Sequence, residues 1–130
     1  MKSLELKVGT LVLDDLQTLH TGGVTLTLPE SARIAIRASH KVVADAAAGD
    51  APVYGVNTGF GKLANKRIST ADLDTLQLNL IRSHSVGVGE PLAPAVIRLM
   101  LALKAASLAR GYSGCREIVV DTLLVSTTRG

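Results

Sequence analysis

Tyr54 stands in a glycine-rich stretch, A-P-V-Y-G-V-N-T-G-F-G-K over 51–62, of a chain that has only two tyrosines and one phenylalanine. A tyrosine can act as a general base where nearby positive charge or hydrogen-bond donors favour its ionised form. A buried loop tyrosine more often packs, with its hydroxyl bonded to a neighbour. The neighbouring residues alone leave both interpretations open.

The residues that follow Tyr54 would form a loop to which another group can come close. Gly55, Gly59 and Gly61 can adopt backbone conformations that other residues avoid, and they allow close approach. Asn57 and Thr58 would either orient a substrate or simply form the turn. A site and a plain surface turn are both compatible with this composition.

His84 is the second candidate and lies at the end of a predicted helix. Leucines at 73, 76 and 80 share its helical face, a position typical of a hydrogen-bonded core histidine. A helix C-terminus, however, favours a charged imidazole, and the following S-V-G-V-G-E would let a ligand approach. Core packing and ligand contact both remain possible at this point.

The residue types and their spacing argue against other kinds of site. The phosphate-loop motif fails at Val56 and Leu63, where it requires glycine and serine or threonine. His20, His40 and Cys115 lack the spacing of a zinc site, so we expect no metal. The net charge of +3 comes from scattered residues without a basic run, which argues against nucleic-acid binding.

The bulk composition indicates one domain or part of one, in the cytoplasm. The 130 residues are 47% hydrophobic, enough to build a core. A single cysteine excludes an internal disulfide and fits a reducing compartment. The apolar run over 91–109 is interrupted by proline and by basic residues, which predicts a buried helix and no membrane partner.

Residue periodicity predicts a mainly α fold, a segment of a helical bundle with a small β element near the N-terminus. A short strand within 4–13 and a strand at 24–28 would form a hairpin-like patch around a short helix at 14–20. Within a single region, 1–130, the expected parts are short strands and a turn at 1–28, a helix at 29–49, the Tyr54 loop at 50–68, helices at 69–85, 91–110 and 114–126, and a tail at 127–130. Ser69 and Asp72 resemble a capping box, and the last three helices are apolar enough to pack together.

Three stretches of sequence, taken together, are a more specific signal of function than any single residue. A close resemblance to the histidine ammonia-lyases is carried by V-Y-G-V-N-T-G-F-G-K-L-A at 53–64, L-Q-L-N-L-I-R-S-H-S-V-G-V-G-E-P-L at 76–92 and R-L-M-L-A-L-K-A-A-S-L-A-R-G-Y-S-G at 98–114. Their order and spacing resemble the N-terminal region of the aromatic amino-acid ammonia-lyase and aminomutase family. The S-H-x-x-G-x-G-E form of the second stretch is more similar to the histidine enzymes than to the phenylalanine enzymes.

The resemblance implies roles for the candidate residues. Tyr54 would take the β-proton of the substrate, and His84 would contact the substrate. The glycines would make a flexible inner loop that carries Tyr54 over the site, with Phe60 packing within the loop. The implied reaction converts L-histidine to trans-urocanate and ammonia, in an enzyme that forms homo-oligomers with shared active sites.

The family's electrophile, a methylidene-imidazolone group made from Ala-Ser-Gly, has no source here, because this sequence contains no such tripeptide. We therefore expect no cofactor in this chain, and an N-terminal lyase segment that is inactive alone. Its expected partners are L-histidine or a related aromatic amino acid, and further copies or the remaining lyase segments.

Two alternatives remain. A tyrosine or phenylalanine ammonia-lyase or aminomutase would keep the family and change the substrate, although His84 and Ser85 favour histidine or tyrosine over phenylalanine. A non-catalytic helical interaction domain would keep the fold alone and bind other helices. The apolar helices also predict that an isolated monomer self-associates.

Overall fold

A computed structural model describes residues 2–128, which form two compact units. The first unit comprises the chain up to Lys41 and from Pro91 onward, and the second comprises Val42–Glu90. The elements in chain order are β1 (Lys2–Glu5), α1 (Leu13–Thr21), β2 (Val24–Thr27), α2 (Glu30–Ala48), a 3-10 turn (Gly61–Leu63), α3 (Thr70–His84), α4 (Pro94–Leu108) and α5 (Glu117–Thr128). The predicted mainly α architecture with a small N-terminal sheet is confirmed.

The two strands pair in parallel, with Lys2 opposite Val24 and Glu5 opposite Thr27. The predicted hairpin-like patch is therefore wrong. Parallel neighbours need a crossover connection, and α1 supplies it between the two strands. The first strand, Lys2–Glu5, also begins before the range 4–13 in which a short strand is predicted.

The first unit is built around an apolar core. Its largest fully buried apolar side chains are Leu6, Leu19, Ile36 and Val120. Helix α4 contacts both α1 and α5, and its inward face consists of alanines that let the neighbouring helices approach closely. Helix α5 also packs on β2. The two strands, the first part of α2 and the last two helices therefore all contribute side chains to one apolar core.

Several helix ends differ from the predicted ones. Helix α4 begins at Pro94 rather than at Pro91, because a proline at 94 would remove the first backbone hydrogen bond of a longer helix. Helix α5 continues to Thr128, so the tail predicted at 127–130 is helical as far as it is described, and residues 129–130 lie outside the described range. The Ser69 hydroxyl donates to the Asp72 carboxylate at 2.6 Å instead of capping a backbone N–H, so the predicted capping box is not formed.

Ion pairs join α2 to α5 at the surface of the first unit. Arg33 contacts both Glu117 and Asp121, and Arg37 contacts Glu117 at 3.0 Å. Hydrogen bonds from Arg33 and then from Arg37 hold the pKa of the Glu117 carboxyl below its usual value. The pairs fix the register of the two helices and add a pH-dependent contribution to stability.

The second unit contains the end of α2, the Tyr54 loop and α3. No residue of α3 is buried, and its leucines at 73, 76 and 80 are only half-buried. Of the last three helices, α4 and α5 pack together, as predicted. Among the described residues, no helix is both long and apolar enough to cross a membrane.

Candidate functional site

Tyr54 is presented by a tight turn at the start of the Tyr54 loop. The Val53 carbonyl accepts hydrogen bonds from the backbone N–H groups of Val56 at 3.0 Å and Asn57 at 3.2 Å. Gly55 takes a φ of 77°, which explains the glycine after the tyrosine. The Tyr54 side chain is 65% exposed, and its hydroxyl has no hydrogen-bond partner among residues 2–128. The interpretation of Tyr54 as a buried packing residue is therefore wrong.

Phe60 limits the position of the Tyr54 ring. The two ring centroids are 5.9 Å apart at an interplanar angle of 72°, an edge-on arrangement that aromatic pairs favour. Phe60 thus packs within the loop, as predicted. The contact leaves the phenolic end of Tyr54 open while one side of its ring is covered.

Asn57 is fully buried, and its side chain hydrogen-bonds to the backbone around the turn. Its Oδ1 accepts the backbone N–H of Val53 at 2.7 Å. Its Nδ2 donates to the carbonyls of Ala46 at 3.1 Å and Ala51 at 3.0 Å, with the Gly49 carbonyl at 3.5 Å. The side chain therefore makes the turn. Of the two interpretations that the sequence left open for Asn57, the structure supports this one, because its amide is fully occupied by the protein's own backbone.

The residues after Asn57 close the loop against its far end. Thr58 is 1% exposed and forms an antiparallel bridge with Arg67. The Gly59 N–H donates to the Lys66 carbonyl at 3.1 Å, and a Cβ at Gly59 would lie 2.5 Å from the Leu63 Cβ. Close packing therefore requires glycine at 59, whereas at Gly61 the requirement is a positive φ of 58°.

Arg67 is a residue of this loop that the sequence reading missed. Its guanidinium donates to the Gly49 carbonyl at 3.0 Å and lies 3.7 Å from the Asp50 carboxylate. A cation at the C-terminal end of α2 is favoured by the helix dipole. No local pattern signals this role, because the partners lie far apart in the sequence.

His84 ends α3 and is exposed. The interpretation as a core histidine is therefore wrong. Its Nδ1 lies 2.9 Å from the Leu80 carbonyl oxygen, which can only accept, so Nδ1 carries the proton. A neutral ring then offers Nε2 as a hydrogen-bond acceptor. The Ser83 hydroxyl, 3.0 Å from Nδ1, also donates to the Leu80 carbonyl and helps to orient the ring.

Tyr54 and His84 both belong to the second unit, and each presents a free polar atom. No hydrogen bond or ring contact joins the two side chains within residues 2–128. The structure therefore shows two separately placed polar groups, a phenol hydroxyl and an imidazole, both on exposed residues.

The remaining candidates do not form another polar site. His40 is half-buried and its Nδ1 contacts the Gly114 carbonyl at 3.1 Å, and Cys115 packs against the apolar core. Residues 2–128 contain no cluster of side chains suited to holding a metal ion. A cavity of about 490 Å³ beside β2 and α5 is lined by both apolar and polar side chains and includes neither Tyr54 nor His84.

Comparison with known sequences identifies one family. The sequence profile described as "Aromatic amino acid lyase" matches residues 11–130. A histidine ammonia-lyase of Rhodospirillum rubrum is 55% identical over 116 residues, which are 89% of this chain and 23% of that protein. The chain thus spans about a quarter of the length of this curated relative.

Solved structures give the same match at the level of the fold. Histidine ammonia-lyase from Trypanosoma cruzi superposes with a TM-score of 0.87 at 38% identity, over 100% of this chain and 25% of that one. A tyrosine aminomutase from Streptomyces globisporus superposes with a TM-score of 0.87 at 27% identity, over 98% of this chain and 24% of that one. The backbone is equally similar to both, whereas the sequence is more similar to the histidine enzymes.

Proposed function

Because the chain belongs to the aromatic amino acid lyase family, we propose that it contributes Tyr54 and His84 to a histidine ammonia-lyase site. The observation that supports this most is the exposed Tyr54 hydroxyl, held on a closely hydrogen-bonded turn without a partner of its own. The 55% identity to a histidine ammonia-lyase, against 27% to a tyrosine aminomutase, supports histidine as the substrate.

In this proposal Tyr54 removes the β-proton of L-histidine as the reaction proceeds to trans-urocanate and ammonia. A general base needs an accessible oxygen that is not occupied by an internal hydrogen bond. Tyr54 fulfils both conditions, and its contact with Phe60 restricts where the hydroxyl can go. Positive charge or donors that favour the ionised phenol would come with the completed site.

His84 would bind the substrate. The Leu80 carbonyl favours a proton on Nδ1, so Nε2 of a neutral ring would accept an N–H of the substrate imidazole or ammonium group. The contacts that orient the ring lie within α3 itself, so the ring is held in place before any ligand arrives. The glycines that follow leave space around the ring.

The family's electrophile does not fit the residues of this chain, because no Ala-Ser-Gly occurs in it. We propose that the 130 residues alone form no urocanate, and that other lyase segments complete the site within a cytoplasmic homo-oligomer. Tyr54 and His84 would then supply proton acceptance and binding only.

A second candidate is a helical interaction domain without catalysis. It is favoured by α3, which buries no residue, and by the exposure of Leu78, Ile81, Val86 and Val88 in the same unit. Apolar surface of this kind is typical of an interface. The two candidates differ in whether the Tyr54 hydroxyl matters, because an interface alone would not need it.

The test is the absorbance of urocanate when the purified chain is mixed with L-histidine, alone and with a lyase from which the equivalent tyrosine has been removed. We expect no product from the chain alone and restored product in the mixture. Absence of product in both mixtures would favour the interaction domain. Product from the chain alone would contradict the argument about the electrophile.

A further inference from the structure

We propose that Asn57 is a positioning residue for Tyr54. Its side chain sets where the tyrosine stands relative to the end of α2. Its effect on catalysis rests on the proposed function, whereas its effect on the loop does not. The inference comes from four hydrogen-bond contacts between one fully buried side-chain amide and backbone groups that precede Tyr54 in the sequence.

The orientation of the Asn57 amide is fixed by the chemistry of its partners. The Val53 N–H can only donate, so it must meet Oδ1, and the carbonyls of Ala46 and Ala51 can only accept, so they must meet Nδ2. Both amide hydrogens and the oxygen are therefore used. No other arrangement of this side chain satisfies the same backbone groups.

The contacts connect Tyr54 to a rigid element in two steps. Ala46 belongs to the last turn of α2, so its bond to Nδ2 ties Asn57 to the helix. Val53, which directly precedes Tyr54, bonds to Asn57 twice, through its N–H to Oδ1 and through its carbonyl to the Asn57 N–H. The residue before the tyrosine is thereby held by two groups of Asn57, its side-chain Oδ1 and its backbone N–H.

The far side of the loop is tied to the same residue. The Asn57 carbonyl accepts the N–H of Ile68 at 2.8 Å, just before α3 begins. Asn57 thus joins the end of α2, the Tyr54 turn and the approach to α3. Motion of Tyr54 is then confined to the few residues between 50 and 56, rather than spread over the whole loop.

The position requires asparagine. Alanine would remove the side-chain partner of the Val53 N–H and of the Ala51 carbonyl, which is costly for backbone groups. The Ala46 and Gly49 carbonyls would keep the Gly49 N–H and the Arg67 guanidinium as donors. Aspartate would keep the acceptor for Val53 but lose both donors and place its charge against carbonyl oxygens. The two variants therefore separate the role of the donors from that of the acceptor.

The test uses nuclear magnetic resonance on the whole chain. With one phenylalanine and two tyrosines, the Tyr54–Phe60 ring contact gives a unique cross-peak, and Tyr112 in the first unit is an internal reference. In Asn57→Ala we expect loss of this cross-peak and at least a tenfold faster exchange of the Val53 amide. Resonances of the first unit should stay unchanged. Asn57→Asp should lose the cross-peak while retaining part of the Val53 protection.

The control is Asn65→Ala, which changes an exposed asparagine of the same loop. It should leave the cross-peak and the Val53 exchange rate at their wild-type values. An unaltered Tyr54–Phe60 cross-peak in a folded Asn57→Ala chain would overturn the inference.

If Asn57→Ala unfolds the whole chain, a measurement on the wild-type chain still tests the inference. The chain has three asparagines, and the side-chain amide hydrogens of Asn57 should exchange at least tenfold more slowly than those of the exposed Asn65 and Asn79. Equal exchange at all three side chains would overturn the inference without any mutation.

The catalytic consequence is measured in the urocanate assay with the tyrosine-deficient lyase. Displacing a reacting group by about 1 Å costs on the order of a hundredfold in rate, so Asn57→Ala should lower turnover to that extent with KM unchanged. Wild-type turnover from an Asn57→Ala chain that has lost the Tyr54–Phe60 cross-peak would count against positioning. If the wild-type chain fails to restore activity, the proposed function is wrong, and the resonance measurements still decide the role of Asn57.

Discussion

Each of the two units of this chain is stabilised internally by a different kind of interaction. Every buried apolar residue among those described lies in the first unit, where Leu19 and Val120 are 0% exposed. The buried residues of the second unit are Asn57, Thr58 and Gly59, which are polar or lack a side chain. Apolar burial therefore stabilises the first unit, whereas a small set of hydrogen bonds shapes the second.

Both candidate reacting groups, Tyr54 and His84, stand on the unit without an apolar core. Segments with few buried apolar contacts open locally at low free energy, and binding loops are commonly drawn from them. The difference teaches that the geometry of the candidate site depends on a few individual hydrogen bonds. Substitutions in the first unit should change global stability, and substitutions in the second should change local structure.

The largest effect is expected from the core of the first unit. Leu19→Ala removes a side chain that is 0% exposed and should lower the free energy of unfolding by about 3 kcal/mol. Urea denaturation measures this change. Leu13→Ala in the same helix removes a side chain that is 81% exposed and should change the free energy of unfolding by less than about 0.5 kcal/mol. Equal losses in the two variants would contradict the assigned core.

A smaller and local effect is expected in the second unit. In Gly59→Ala the new methyl group would lie 2.5 Å from the Leu63 Cβ, so the loop must shift, at a cost of about 1–3 kcal/mol. Hydrogen exchange should speed up over 50–68 and stay unchanged in the first unit. Gly87→Ala, where no atom lies within 4 Å of the added Cβ, is the matched control. Faster exchange throughout the chain would contradict the division into separately stabilised regions.

The smallest effect concerns the ion pairs between α2 and α5. Because Arg33 and Arg37 lower the pKa of Glu117 in the folded chain, this carboxylate stabilises the fold above the unfolded value of 4.5. That contribution is lost as the pH falls through the lowered pKa. Glu117→Gln should therefore reduce the melting temperature at pH 7 by more than at pH 3.

The control for this prediction is Glu5→Gln, which changes an exposed carboxylate of β1. Its melting temperature should differ from that of the wild type by a similar small amount at both pH values. A Glu117→Gln difference that does not shrink on acidification would show that the pairs with Arg33 and Arg37 do not set the pKa of Glu117.

The sequence predicted the helices well because their signals are local. The apolar period and the glycines that follow each helix fix α1, α2 and α3 to within two residues of their observed ends. The parallel pairing of the strands was missed because partner choice depends on the crossover through α1, which residue alternation does not reveal.

The candidate site was only partly predictable. Tyr54 and His84 could be selected from their residue types and from the family resemblance, whereas their exposure could not. The leucine face of α3 predicts burial only if a partner covers it, and the described chain leaves that helix unburied. The role of Asn57 was equally hidden, because its partners are backbone groups that become neighbours only when the turn forms.

The central claim is that Tyr54 of this chain serves as the base of a lyase site, and one assay tests it most directly. Chains carrying Tyr54→Phe or Tyr112→Phe are added to the tyrosine-deficient lyase with L-histidine, and urocanate is followed by absorbance. Tyr112 is 85% exposed and lies in the first unit, so its loss should leave the restored rate unchanged. Loss of the Tyr54 hydroxyl should lower that rate by at least about a hundredfold, the usual contribution of a general base. Equal restoration by the two variants would contradict the account.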